Sequence, residues 1–187
     1  MLNLSDIKTG KAIAFSGEPY LVTFHQHSKT GRAGAVLRTK LRNLKTGAVL
    51  EKTFQGADKI EEADIAKTKA QYLYLDGSDF AFMDSVSFEQ FILPKSVIGD
   101  LSKYLVENTE VTVLNHNNQP INIELPVKME FKVVEAPPAI RGNTADGGTK
   151  LVTLETGIKV NTPLFIKEGD ILRINTETGE YAERANK

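Results

Sequence analysis

Hydrophobic and polar residues alternate in short runs along most of this chain. Runs of that kind span 12–16, 20–23, 35–41, 49–54, 71–75, 80–83, 110–114, 121–125, 130–134, 150–154 and 170–174. Alternation over four to eight residues is the mark of a strand with one buried face. The 3.6-residue spacing of helices is scarce; it is best at 98–105, with a single turn at 4–7. Turn chemistry separates the runs. Thr-Gly stands at 30–31, 46–47, 156–157 and 178–179, with Ser16-Gly17 and Asp76-Gly77 besides. Glycine supplies the positive φ that tight hairpins require. Strands joined by hairpins every ten or so residues predict an all-β chain of sandwiches or small barrels. The aromatics Phe54, Tyr72, Tyr74, Phe80, Phe82, Phe88 and Phe91 fall mostly at strand spacing. They are read as barrel cores and module seams rather than stacking platforms.

Charge divides the chain of 187 residues. Residues 1–63 hold 10 Lys and Arg against 6 Asp and Glu, residues 64–128 hold 5 against 9, and residues 129–187 hold 8 against 9. No acidic residue lies between Glu18 and Glu51, a stretch containing Lys29, Arg32, Arg38, Lys40, Arg42 and Lys45. A basic N-terminal module followed by more acidic ones is expected, with linkers near 64 and 128. Modules of about 60 residues are marginal alone, so neighbouring contacts should help hold them. The whole chain is near neutral at −1, which excludes a globally basic nucleic-acid coat but not a local basic patch. It has no Cys, which removes disulfides, thiol nucleophiles and thiolate metal sites. No apolar run approaches the roughly 18 residues of a membrane span, and the first residues lack the pattern of a secretory signal. A cytoplasmic protein is expected.

Catalytic patterns are missing. His25 and His27 share a strand face, but a third ligand would have to come from His116 in another module, so a solvated face is expected and no metal. No paired-carboxylate, nucleophile-elbow or phosphate-loop motif occurs; 142–148 is glycine-rich without the Lys-Ser/Thr ending. No enzyme and no cofactor are expected. Three features point instead to nucleic acid. The loop Lys29, Thr30, Gly31, Arg32, Ala33, Gly34 lies between two strands, and its small residues leave room for close backbone approach. Arg32 stands at its apex, always protonated and suited to phosphate or base edges. Arg38, Lys40 and Arg42 alternate with Leu37, Thr39 and Leu41 and so form one basic strand face. A second polar loop, Gly142, Asn143, Thr144, Ala145, Asp146, follows Pro137-Pro138 and offers short donors and acceptors.

These residues resemble bacterial elongation factor P over essentially the whole chain. The first module carries Lys29-Thr30-Gly31-Arg32-Ala33-Gly34-Ala35 and then Arg38-Thr39-Lys40-Leu41-Arg42-Asn43-Leu44; the second carries Tyr72-Leu73-Tyr74 and Phe82-Met83-Asp84. The third is the most specific: Pro137-Pro138, Arg141-Gly142-Asn143-Thr144, Gly147-Gly148-Thr149-Lys150, Leu154-Glu155-Thr156-Gly157, Pro163-Leu164-Phe165, Glu168-Gly169-Asp170 and Thr178-Gly179-Glu180-Tyr181. The resemblance covers the factor proper and an elongation factor P-like paralogue with a tip arginine. It implies three β-barrels in an L shape like tRNA: an SH3-like (KOW-like) domain at 1–64, an OB-type domain at 65–128 and a C-terminal OB-type domain at 129–187. It also implies a monomer that binds the 70S ribosome between the P and E sites and relieves stalling at consecutive prolines. The tip loop would reach the CCA end of P-site peptidyl-tRNA, and the loop 142–146 the E-site mRNA codon. Three positions depart from the commonest pattern: Arg32 replaces the usual tip Lys, Thr30 a Pro, and Asn143 an Asp. Arg32 cannot carry a lysine-type modification; members with a tip Arg either bear rhamnose, added by a dedicated glycosyltransferase, or leave it bare. The rival reading is a stand-alone OB/SH3-type RNA-binding or chaperone protein.

Overall fold

The computed structural model describes residues 1–30, 34–138 and 148–185. They form three five-stranded antiparallel sheets. The first is built from β1 (Ala12–Phe15), β2 (Glu18–Thr30), β3 (Gly34–Asn43), β4 (Val49–Gln55) and β5 (Glu61–Glu62), in the order β4-β3-β2-β1-β5. Its core is aliphatic, with Ile7, Ile13, Val22, Leu37 and Leu41 fully buried beside Phe54 and Ile60. The hairpin from β1 to β2 turns on two residues: Phe15 faces Glu18, and Ser16 and Gly17 take φ of 53° and 79°. Positive φ at both positions is what a two-residue turn matching strand twist demands.

The second sheet holds β6 (Ala66–Asp76), β7 (Asp79–Asp84), β8 (Gln90–Pro94), β9 (Glu110–His116) and β10 (Gln119–Glu124), ordered β10-β9-β6-β7-β8. The third holds β11 (Lys128–Glu135), β12 (Thr149–Leu154), β13 (Lys159–Pro163), β14 (Ile171–Asn175) and β15 (Tyr181–Arg184), ordered β13-β12-β11-β14-β15. The two orders are one topology. In each, the first strand pairs with the second and the fourth, and the third and fifth strands approach to close the barrel. That is the five-stranded Greek-key barrel of OB-folds. The all-β reading and its three barrels therefore hold.

Among the described residues, helix is confined to short pieces. A helical turn, α1 (Lys95–Ile98), packs against β8 and β10 and buries Val97 and Ile98. The expected helix at 98–105 is instead a 3-10 segment, Gly99–Tyr104, because Gly99 adopts φ of 59° and ends the α-helical path. Two aromatics assigned to cores are outside: Tyr74 is 48% and Phe88 69% exposed. A β-bulge between Tyr72 and Tyr74 reverses the side-chain alternation, so Tyr72 packs on Phe80 and Phe82 while Tyr74 turns to solvent.

Contacts gather the chain into two compact units, Met1–Gly99 with Thr112–Glu124, and Asp100–Val111 with Leu125–Lys187. Within the first, Leu44 packs with Leu114 and Ile121, and the buried Asn122 donates its Nδ2 hydrogen to the Leu44 carbonyl at 3.1 Å. The first two sheets are thus bonded to each other. In the second unit, Tyr104 packs on Phe131 within an aliphatic core of Val133, Val152, Leu172 and Ile174.

Candidate nucleic-acid interface

The acid-free stretch of the sequence folds into one long hairpin. β2 and β3 pair from Tyr20 opposite Asn43 at the base to Thr30 opposite Gly34 at the end. Ten residues of β3 span about 33 Å. Strand periodicity sorts its side chains. Leu37, Thr39 and Leu41 are buried, and Thr39 enters the apolar face by donating its hydroxyl to the Lys52 carbonyl at 2.8 Å. Arg38 and Lys40 point outward and are exposed. Register places Gln26, Arg38 and Thr53 in one cross-strand row, then Phe24, Lys40 and Glu51, then Leu21, Arg42 and Val49.

The three cations of that face are not equivalent. Arg38 has no ion pair among the described residues. Lys40 lies 3.3 Å from Glu51, an exposed pair worth at most about 1 kcal/mol, which leaves its charge available. Arg42 is half-buried; its Nη2 donates to the Val97 carbonyl at 3.5 Å and lies against Gly99. Arg38 therefore presents a free guanidinium to a partner, and Lys40 an ammonium held only by an exposed pair.

Beside Lys40 the structure exposes Phe24, 45% accessible, which the sequence pattern does not single out. A bulge between Val22 and Phe24 turns it from the parity of buried Val22 to that of Lys40. Strand alternation alone gives no sign of it. An aromatic face next to two cations suits a stacked base beside phosphate contacts. On the opposite face His25 and His27 stack edge to face at 6.1 Å, as their spacing predicts. In the tautomer that leaves Nδ1 bare, His25 Nδ1 accepts from the Thr9 amide at 3.2 Å and from the Thr9 hydroxyl at 3.0 Å. His116 is elsewhere, bonded to the Asp64 carbonyl.

The predicted loop residues fall partly or wholly outside the described part. Lys29, Thr30 and Gly34 close the hairpin by register, whereas Gly31, Arg32 and Ala33 lie outside the described residues. So do Gly142, Asn143, Thr144, Ala145 and Asp146. The flanks of that second loop are tied together, since Lys150 Nζ donates to the Pro137 carbonyl at 2.9 Å.

Comparison with known proteins covers nearly the whole chain. Residues 3–60 match the family model of the Elongation factor P (EF-P) KOW-like domain, residues 65–123 that of the Elongation factor P (EF-P) OB domain, and residues 129–184 that of Elongation factor P, C-terminal. Elongation factor P of Moorella thermoacetica is 47% identical over 185 residues, 99% of this chain and 100% of that one. Its counterpart in Natranaerobius thermophilus is 46% identical over 184 residues, 98% of each chain. A solved structure of eukaryotic translation initiation factor 5A from Methanococcus jannaschii shares 22% identity at a TM-score of 0.49, covering 66% of this chain and 93% of that one.

Proposed function

The chain belongs to the elongation factor P family, and from that premise we propose that it binds the ribosome between the P and E sites and relieves stalling at consecutive prolines. In this reading the three domains divide at 64 and 128. The protein acts as a cytoplasmic monomer; among the described residues no helix is long and apolar enough to cross a membrane. The observation that carries the reading is the basic hairpin: 32 residues without a carboxylate, folded so that Arg38 and Lys40 face outward beside Phe24. Phosphate contacts from such a face fix register on RNA.

The role at the reactive end follows from chemistry. A guanidinium such as that of Arg32 keeps its proton at neutral pH and so cannot act as a proton shuttle. Its five donors instead hold the CCA end of the P-site tRNA. Proline reacts poorly because its ring fixes φ and restricts the approach of the nucleophile. Restraining the tRNA end in an attack-ready arrangement lowers the entropic part of that barrier. The ribosome performs the bond-forming step, and this protein supplies orientation. The loop 142–146 meets the E-site codon, where Asn143 brings two donors and an acceptor without charge.

Arg32→Ala should abolish rescue of a Pro-Pro-Pro reporter in a reconstituted translation system while stability changes by less than ~0.5 kcal/mol. Full rescue by that variant would refute the tip assignment. Native Arg32 is either bare or carries a sugar added by a glycosyltransferase, which would extend its reach without removing the charge. Peptide mass spectrometry across residues 29–38 tests this; an adduct on Lys29 instead would move the tip to that residue.

A further inference from the structure

The second sheet carries a surface of the opposite character to the hairpin. Between Lys69 and Lys95 the chain has no Lys or Arg and four carboxylates, Asp76, Asp79, Asp84 and Glu89. The same stretch holds five of the twelve large hydrophobic residues that are exposed among the described ones: Tyr74, Leu75, Val86, Phe88 and Ile92. Register sorts them, with Leu75 paired to Phe80 on the other side of the sheet. Tyr74, Ala81 and Ile92 form one row across β6, β7 and β8, on the side away from the stacked Phe82 and Phe91. Val86 and Phe88, 83% and 69% exposed, stand on the turn between β7 and β8.

That turn is built to hold them out. Asp84 Oδ1 accepts hydrogen bonds from the amides of Val86 and Ser87, both at 2.9 Å, and the Phe88 amide donates to the Asp84 carbonyl at 3.0 Å. Phe88 adopts φ of 60°, a left-handed conformation that costs a bulky residue energy, with its ring in water rather than in a core. A second cost sits at the other end of the sheet. Asp76 and Asp79 face each other directly across β6 and β7, and among the described residues neither has a cationic partner. Like charges in that position destabilise a hairpin. The exposed Phe88 ring extends an apolar surface, and Asp76 and Asp79 give it an acidic rim.

We propose that this face of β6, β7 and β8 is a docking surface for a basic protein of the ribosome, one that places apolar side chains on Tyr74, Phe88 and Ile92 and Lys or Arg side chains against Asp76 and Asp79. The inference rests on the ribosome-binding reading above. Exposed apolar patches with a polar rim mark protein contacts. RNA is disfavoured, because Asp76 and Asp79, which share the parity of Tyr74 and Ala81 and have no cationic partner among the described residues, repel phosphate. Charge therefore divides the protein's contacts: RNA at the hairpin, protein at the second sheet.

Binding of the full chain to purified 70S ribosomes tests this with two variants. Val86→Ser combined with Phe88→Ser removes apolar surface that no core uses, and should weaken binding about tenfold. Asp79→Lys converts the repulsive Asp76–Asp79 pair into an attractive one, so it should melt no lower than wild type yet bind ribosomes more weakly. A misfolding explanation predicts the reverse order of stability. A benzophenone side chain in place of Phe88 should cross-link to a ribosomal protein. Unchanged binding by the double variant overturns the proposal, as does tighter binding by Asp79→Lys or a cross-link to ribosomal RNA, either of which would place RNA at this face. Failure of the wild-type chain to bind 70S ribosomes would instead overturn the reading on which it rests, and this proposal with it.

Discussion

Replacing Asn122 by Ala should loosen the bond between the first two sheets by an amount that can be worked out. Asn122 is 4% exposed; its Nδ2 donates to the Leu44 carbonyl at 3.1 Å and its Oδ1 accepts from the Ile123 amide at 2.8 Å. Leu44 is itself 3% exposed, so truncation strands its carbonyl away from water. A buried polar group left without a partner costs about 1–3 kcal/mol. For a chain of this length that corresponds to a fall in Tm of roughly 3–10 °C. The protein has no Trp, so far-UV circular dichroism is the suitable probe, with amide exchange at Ile123 as the local one. Asn122→Asp sharpens the test. An ionised carboxylate cannot donate to the Leu44 oxygen, and it is buried, so its folded pKa must be raised. Stability tied to a raised pKa is present below the unfolded value and lost as pH rises through the folded one. The Asn122→Asp variant should thus be less stable than Asn122→Ala at pH 7. It should recover relative to the Ala variant toward about pH 4, where the protonated acid can donate. An Ala variant within ~0.3 kcal/mol of wild type, well inside the expected ~1–3 kcal/mol, or an Asp variant without acid recovery, would refute the assigned role.

Three further outcomes follow from the geometry. Arg38→Gln with Lys40→Gln should lower the salt slope of ribosome binding by about one per cation removed; an unchanged slope would show a merely solvated face. Hydrogen bonds from the Ser87 and Val86 amides hold the Asp84 carboxyl below its ordinary value, so its cap is intact at neutral pH and lost as acid passes that lowered value. Amide exchange at Ser87 should accordingly quicken in strong acid in the wild type, and be quick at every pH in Asp84→Ala. Replacing residues 142–146 with a Gly-Ser linker should reduce rescue at stalled proline motifs by an amount that varies with the E-site codon; equal rescue on every codon would make the segment a plain connection.

Much of this is legible from alternation alone. The run at 35–41 reads as a strand with Leu37 and Leu41 inward and Arg38 and Lys40 outward, and β3 has that arrangement. The outer half of β2 is legible as a strand at His25 and His27, but not in its extent or in which face is covered. From Phe24 to Lys29 the chain is mostly polar because the hairpin extends past the core there, so no face is marked by burial. β8 is hidden for a related reason, since Ile92 points to solvent and breaks the alternation. The two bulges cannot be read from sequence because an inserted residue leaves no compositional trace, yet each sends an aromatic, Phe24 or Tyr74, to the outside. Arg42 can be placed on its strand face from sequence, but its partner is the carbonyl of Val97, 55 residues away. Composition singles out the tip and the second loop, and their central residues lie outside the described part.

The seam at Leu44 also sets a schedule for the nascent chain. The first sheet is complete once Glu62 has left the exit tunnel, because its last pairing joins β5 to β1. Its partners Leu114, Ile121 and Asn122 are then still to emerge, the last of them about 60 residues later. At about 5–20 residues per second that interval lasts roughly 3–12 s. Throughout it Leu44, with Leu21 and Ala12 beside it, is an uncovered apolar patch on an otherwise finished barrel. A holdase that recognises such patches should engage this protein on the translating ribosome in that window and release it when β10 arrives.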